Sequence, residues 1–359
     1  RRCSTATGTA HPNADTTLGL TMRYGLLACM IAVLGVMAWY VVSAPDDQTL
    51  VVYCAHDLQF SEPILKTFEA ETGIPVVIVS DTDATKSLEL VQQLIREGDR
   101  SNCDVFWNNQ LLGTIQLQRA GLLQSYQGSG YQRIPTEFKD PEGLWAGFAA
   151  RLRVWIVNTD KMPATYEAID AALASEDLSG MAIAQPMFGT TLSHYSLLWS
   201  QMGGEALQQQ HRDFVQRGCR VVSGNATVKN LVAEGVCRFG MTDTDDYFVA
   251  ADAGLPVGKL PILAEGGQTI CIPNSVAILR SCDNLEAAQR LVDYLLSERI
   301  ELELAQSESR QIPLGPIVAA EIPADVQELA ESARNAADLR GLGQAREECL
   351  NWLKAEYAP

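Results

Sequence analysis

The 359-residue chain has no CxxC pair, no GxSxG elbow, no HExxH helix and no GxxxxGK[ST] loop. Those gaps remove the usual sequence marks of a structural zinc site, a serine hydrolase, a zinc protease and a nucleotide cradle. Positive charge is scarce as well: 27 Lys and Arg stand against 44 Asp and Glu, a net charge of −17. Residues 1–44 hold three of the basic residues and one of the acidic ones, so the remainder is more acidic still. A body of that sign neither wraps nucleic acid nor lies on anionic lipid. Repeats and low-complexity linkers are also missing, and 47% hydrophobic with 20% charged residues suits two or three compact globular units.

Long hydrophobic runs are confined to one, the eighteen uncharged residues from Gly25 to Val42, with Arg23 before them and Asp46 and Asp47 after. Eighteen residues reach the lower length of a membrane helix and exceed the roughly 7–15 of a cleaved signal's apolar region, so the length leans towards an anchor. Val42-Ser43-Ala44 forms a small-residue cleavage site, but Pro45 after it hinders a peptidase. Leu26 to Cys29 resembles a lipoprotein box whose Cys precedes most of the apolar run instead of ending it. Met22-Arg23 makes a start just before the run, and residues 1–21 are expected to be an extension outside the fold. Charge before and after the run leaves the body on the non-cytoplasmic side. The expected division is 22–45 signal peptide or anchor, 46–150 first lobe, 151–265 second lobe, and 266–359 return to the first lobe with C-terminal helices.

The body alternates β-branched runs with helical patterns, which reads as α/β. Strands are expected over 49–54, 75–80 and 104–107. The helix after the first has Ser61 as cap, Pro63 in its first turn and Gly73 past its end, and the helix after the second is capped by Asp83. Residues 145–158 exceed an ordinary buried strand and carry Arg151 and Arg153 on one strand face, as a crossover between lobes would. A second strand-helix set follows over 181–242, and a return strand at 269–280 leads into helices from Leu285. Two lobes so joined enclose a cleft, where small ligands bind. Of the nine Cys, Cys219 and Cys237 are the best candidates for a disulfide in an oxidising compartment, with buried thiols as the alternative.

In open α/β sheets ligands sit beyond the carboxyl ends of strands. Gly189-Thr190-Thr191 and Asn225 stand before helices, where unpaired N–H groups and the dipole favour an anion, unless these residues simply cap. Asp243, Asp245 and Asp246 put three carboxylates at one strand-to-helix turn, more than a cap requires and enough oxygen for a hard cation. His56 follows the first strand and could add a nitrogen. Arg151 or Arg153 either contacts a ligand oxyanion or neutralises the Asp cluster. Tyr53, Trp107, Tyr195 and Tyr247 are wall or core. The Asp243-x-Asp245-Asp246 spacing also occurs in helical terpene cyclases, but here it follows a strand, against an enzyme.

These residues resemble the extracellular solute-binding proteins of ABC importers, in their ferric-iron-binding branch. The resemblance spans Leu50 to Pro316 and rests on VVYCAHD at 51–57, DVFWNNQLLGTIQLQRAGLL at 104–123, the Arg-x-Arg strand, the Gly-Thr-Thr and Asn225 loops, and SRQIPLGP at 309–316. It implies a two-lobed, type II periplasmic-binding fold that closes by hinge motion, with no catalysis and delivery of cargo to a membrane permease. In that branch a His after strand one, an acidic residue after the third strand and two adjacent Tyr hold the iron, with a small anion against helix ends. Carried over, His56 matches the His, Gly189 to Thr191, Asn225 and Asp243 match the anion positions, and Asn109 stands for the acidic residue. Asp245 and Asp246 stand for the Tyr pair, with Tyr247 next to them. The expected cargo is Fe3+ or another hard cation with an accompanying anion, bound by His56, Asp245, Asp246 and Tyr247 and by Asn109, Arg151 and the helix-end residues. The alternatives are an organic anion such as a phosphonate or sugar phosphate, or a membrane-tethered sensor. A periplasmic monomer that meets the membrane only through its N-terminal segment is implied.

Overall fold

The computed structural model describes residues 49–80, 88–318 and 321–358. The Gly25–Val42 run, the cleavage and lipoprotein motifs, and the Asp83 cap lie outside them. Among the described residues no helix is long and apolar enough to cross a membrane.

The chain begins β1 (Leu50–Cys54), α1 (Leu58–Thr72), β2 (Val76–Ser80), α2 (Leu88–Glu97), β3 (Val105–Asn108), α3 (Leu112–Arg119). Each β–α step follows the expected alternation, and Gly73 ends α1 in the left-handed region at φ 71°. The helix starts before Ser61, whose hydroxyl donates back to the Asp57 carbonyl at 3.1 Å rather than capping. After β4 (Leu123–Gln124) and the short α4 (Ser129–Arg133) comes β5 (Ala146–Asn158), thirteen residues buried throughout. The next elements are α5 (Tyr166–Leu173), β6 (Met181–Ala184), α6 (Gly189–Met202), α7 (Gly204–Gln216), β7 (Arg220–Val222), α8 (Asn225–Ala233), β8 (Phe239–Asp243), α9 (Thr244–Asp252) and β9 (Val257–Pro261). The chain closes with β10 (Cys271–Leu279), α10 (Leu285–Leu295), α11 (Glu298–Gln306), α12 (Ala324–Ala333) and α13 (Gly343–Glu356).

The strands run in the order β2-β1-β3-β10-β5-β8-β6-β7, with β4 on β10 and β9 on β5. β1 lies parallel to β2 and β3, and β6 lies parallel to β7 and β8, as βαβ units require. β5 joins the two halves: Ala146 to Leu152 pair with β10, and Arg153 onward pairs with β8 and β9. The halves are the two lobes, and the chain changes lobe inside this single strand. Gly240 in β8 is required by close approach, since a Cβ there would meet the Ala182 carbonyl oxygen at 2.6 Å.

Near the crossing, Ala149 sits at φ 43°, a conformation an L residue rarely takes. Fully buried Glu301 holds it there. Its Oε1 accepts from the N–H groups of Ala149 and Leu314, each at 2.8 Å, and its Oε2 from Gly315 N–H at 3.0 Å and Arg133 Nη1 at 2.6 Å.

The C-terminal helix, expected to pack on the first lobe, packs on both. Cys349, Leu350 and Leu353 of α13 join Leu192, Tyr195 and Leu207 of the second lobe in one apolar cluster. Arg346 reaches Gln116 of α3 at 2.5 Å. His211 is held between the hydroxyls of Tyr195 at 2.9 Å and Tyr357 at 2.8 Å. The expected disulfide is not formed: Cys219 and Cys237 are both free, buried thiols. Their strands begin at Arg220 and Phe239, past each Cys.

Candidate functional site

Between the halves of the sheet lies a cavity of about 780 Å3. The first half contributes His56, Asp57, Asn109 and Arg151; the second contributes Gln185, Phe188 to Thr191, Gly224 to Ala226, Lys229, Asp243, Asp245 and Asp246. All of these lie on loops or helix starts after strands, or on the crossing strand β5, as an open α/β sheet dictates.

The floor is built by strand register. Arg153 in β5 is paired directly with Asp243 at the end of β8, and the fully buried guanidinium reaches that carboxylate at 2.7 Å. Asp243 then collects the two helix ends: its Oδ2 accepts from Thr190 Oγ1 at 2.5 Å and from Asn225 Nδ2 at 2.9 Å. Thr191 Oγ1 donates to Asn225 Oδ1 at 3.1 Å. Gly189 opens α6 at φ 50°, in the left-handed region that favours Gly. The Thr190, Thr191 and Asn225 side chains, expected either to cap or to cradle an anion, do not cap their helices; they are bonded to Asp243 and to one another.

Two residues before Arg153 on the same strand face, Arg151 makes a second internal neutralisation. Its Nε lies 3.2 Å from Asp245 Oδ2, its Nη1 donates to the Asn109 carbonyl at 2.5 Å, and its Nη2 to Asn274 Oδ1 at 3.0 Å. Of the two roles expected for the Arg pair, neutralising the Asp cluster is the one both perform. The Arg151 pair also spans the lobes, since Asn109 belongs to the first and Asp245 to the second.

Asp245 and Asp246 occupy the first turn of α9, where the helix dipole favours negative charge. Asp245 Oδ1 accepts the Asp246 N–H at 3.0 Å, and Asp246 Oδ2 accepts from Thr242 Oγ1 at 2.8 Å. With Asp243 they form a three-carboxylate group offering oxygens within 4.8 Å of one another. Burial raises Asp245 to about 6 against the opposing pull of Arg151, and 21% of its side chain remains exposed. Burial, then the charges of Asp245 and Asp243, raise Asp246 further, to about 8. Crowded carboxylates of this kind gain from a cation that removes their mutual repulsion.

Two expected metal ligands do not join this group. Tyr247 turns away from the cavity because consecutive helix residues are rotated about 100° apart. Its ring packs beside Phe248 and under the Lys259 ammonium, 5.2 Å from the ring centroid. His56 borders the cavity but is 3% exposed, with Nδ1 3.2 Å from the Asp57 carbonyl and Nε2 2.8 Å from the Gln311 amide, and its ring stacked on Trp107. Both ring nitrogens are thus engaged inside the first lobe. Asn109 lines the cavity and its side-chain oxygen meets no partner among the described residues. Of the aromatics weighed as walls, Tyr53, Trp107 and Tyr195 belong to core clusters instead. Sequence reasoning missed Gln311, inside the SRQIPLGP motif, and Lys229, which helical spacing from Asn225 could have placed on the cavity face.

A two-lobed fold with a charged interlobe cavity defines a binding protein for a small polar solute. Residues 64–333 match the bacterial extracellular solute-binding protein family, and the chain belongs to it. Iron uptake protein A1 of Synechocystis sp. is 25% identical over 281 residues, 73% of this chain and 75% of that protein. Iron-bound HitA from Pseudomonas aeruginosa superposes with a TM-score of 0.74 at 23% identity, over 87% of this chain and 99% of its own. AfuA from Actinobacillus pleuropneumoniae, solved with fructose-6-phosphate, has a TM-score of 0.68 at 18% identity, over 86% of this chain and 98% of its own. The two structural likenesses concern the fold alone. The family is one of solute-binding proteins rather than enzymes.

Proposed function

We propose that this chain is the extracytoplasmic binding component of an ABC importer, capturing ferric iron or another hard cation with an accompanying anion and handing it to a membrane permease. The observation that carries the reading is the convergence of Asp243, Asp245 and Asp246 in the lining of an interlobe cavity. Carboxylate oxygens are hard donors that suit such ions, and iron is the named cargo of the Synechocystis relative. Asp245 and Asp246 are the ligands in this reading, since Asp243 is already bound to Arg153, Thr190 and Asn225. A cation at Asp245 competes with Arg151 for the same oxygen, so capture loosens a contact that spans the lobes and couples binding to hinge movement. Segment 25–42 serves export or anchoring.

A second reading, an organic phosphate as cargo, is favoured by the cavity's size, about 780 Å3, far more than an ion fills. Melting of the protein with ferric citrate, citrate, inorganic phosphate and fructose 6-phosphate separates the two. A ligand at 100 times its dissociation constant adds about 2.7 kcal/mol. The cation reading expects a shift with ferric citrate that D245A/D246A loses, with at least roughly tenfold weaker binding. A wild-type shift with fructose 6-phosphate and none with iron would replace it.

A further inference from the structure

The cavity's charge is mostly cancelled from within. Arg151 faces Asp245, Arg153 faces Asp243, and the side-chain donors of Thr190, Thr191 and Asn225 are all bound to protein acceptors. An anion arriving with the cargo therefore finds the side chains at the helix ends already engaged. One lining cation stands apart. Lys229 lies one turn into α8 from Asn225 and is half-buried, and among the described residues it makes no ion pair or hydrogen bond. Asp246 is the carboxylate across from it whose charge it feels.

Resting on the cation reading above, we propose that Lys229 is the side chain that recognises the cargo's accompanying oxyanion, a carboxylate or phosphate group, the side chains at the helix ends being already engaged. The geometry also says in what form that anion enters. Asp57, Asp243, Asp245 and Asp246 line the same cavity, and Arg151 and Arg153 are already paired to two of them, so an anion by itself finds acidic neighbours and, among the described residues, Lys229 as the lining cation without an ion pair. Coordinated to a cation held by Asp245 and Asp246, the anion would have its charge largely cancelled by the metal and would keep outer oxygens for Lys229, which lines the same cavity. Asn109 lines the same cavity, and its buried side-chain oxygen has no partner among the described residues. Specificity for a cation-oxyanion complex over either part then follows from one ammonium and two carboxylates lining a single cavity.

The test is an equilibrium titration of the full chain and its K229Q and K229R forms with ferric citrate, citrate alone, and ferric iron in inorganic phosphate. K229Q is expected to bind ferric citrate roughly tenfold or more weakly, as loss of a charge-assisted contact implies. K229R is expected to stay within about threefold, and ligand-free melting of both to stay within about 0.5 kcal/mol of wild type, since among the described residues Lys229 makes no ion pair or hydrogen bond to lose. The citrate and phosphate arms tell which oxyanion class is taken. Equal affinity of wild type and K229Q for both ferric complexes would overturn the role of Lys229 and leave the cation reading standing. Failure of wild type to bind either ferric complex would overturn both. Tight binding of citrate without iron would overturn the joint entry of cation and anion.

Discussion

Replacing Glu301 by glutamine tests how the crossing strand is held. The carboxylate is 0% exposed and accepts four hydrogen bonds, two on each oxygen, from three backbone N–H groups and the Arg133 guanidinium. Glutamine keeps the shape but turns one of those oxygens into a donor. Whichever way the amide is set, two donors then face a third: Ala149 and Leu314 N–H in one orientation, Gly315 N–H and Arg133 in the other. Arg133 also loses its carboxylate partner at 2.6 Å, with only 15% of its side chain exposed. Breaking a buried pair this way costs about 3–5 kcal/mol, and for a domain of this size that is roughly a 5–8 °C fall in melting temperature. Urea and thermal unfolding of E301Q measure it, with E298Q in the exposed first turn of the same helix as the control, expected within about 0.5 kcal/mol of wild type. A loss below about 1 kcal/mol in E301Q would refute the claim that this carboxylate fixes the strained Ala149 at the lobe crossing.

Other outcomes follow from the cavity. Because Asp245 and Asp246 are raised to about 6 and about 8, the ligand-free fold holds their protons more tightly than the unfolded chain does. Their contribution is favourable at low pH and is lost as pH rises from about 4 through about 8. Cation binding should strengthen over the upper part of that window and release protons, measured by titration in buffers of different ionisation enthalpy; pH-independent affinity would contradict it. T190A removes the hydroxyl that donates to buried Asp243 at 2.5 Å. Unfolding should show a loss of about 1–3 kcal/mol, with the anion requirement for binding unchanged. A changed anion requirement would mean that the threonine contacts cargo after all.

Much of the architecture was legible from local signals. Alternating β-branched and amphipathic stretches, Gly73 behind a helix and the long run around Arg151 and Arg153 each reflect short-range physics, so strands β1 to β3 and the crossing β5 fall where periodicity places them. The Asp cluster and the Gly-Thr-Thr turn were visible for the same reason, as unusual residues at strand ends. What neighbouring residues could not reveal is who neutralises whom. That Asp243 sits against Arg153, Thr190 and Asn225 depends on one register between β5 and β8 and on two helices brought together from distant sequence.

The sequence by itself determined the fold class, the family resemblance and the set of chemically capable residues, because composition and periodicity are local properties that folding obeys. Only the tertiary structure decided that the Thr190 and Asn225 side chains bind the protein's own Asp243 carboxylate, and that His56 and Tyr247 face inward to protein partners. It also left Lys229 as the lining cation without an ion-pair partner among the described residues. Charge pairing is a long-range matter: a carboxylate's role is set by whichever guanidinium the folded chain brings within about 3 Å, and that distance is written in strand register and helix placement rather than in spacing along the chain.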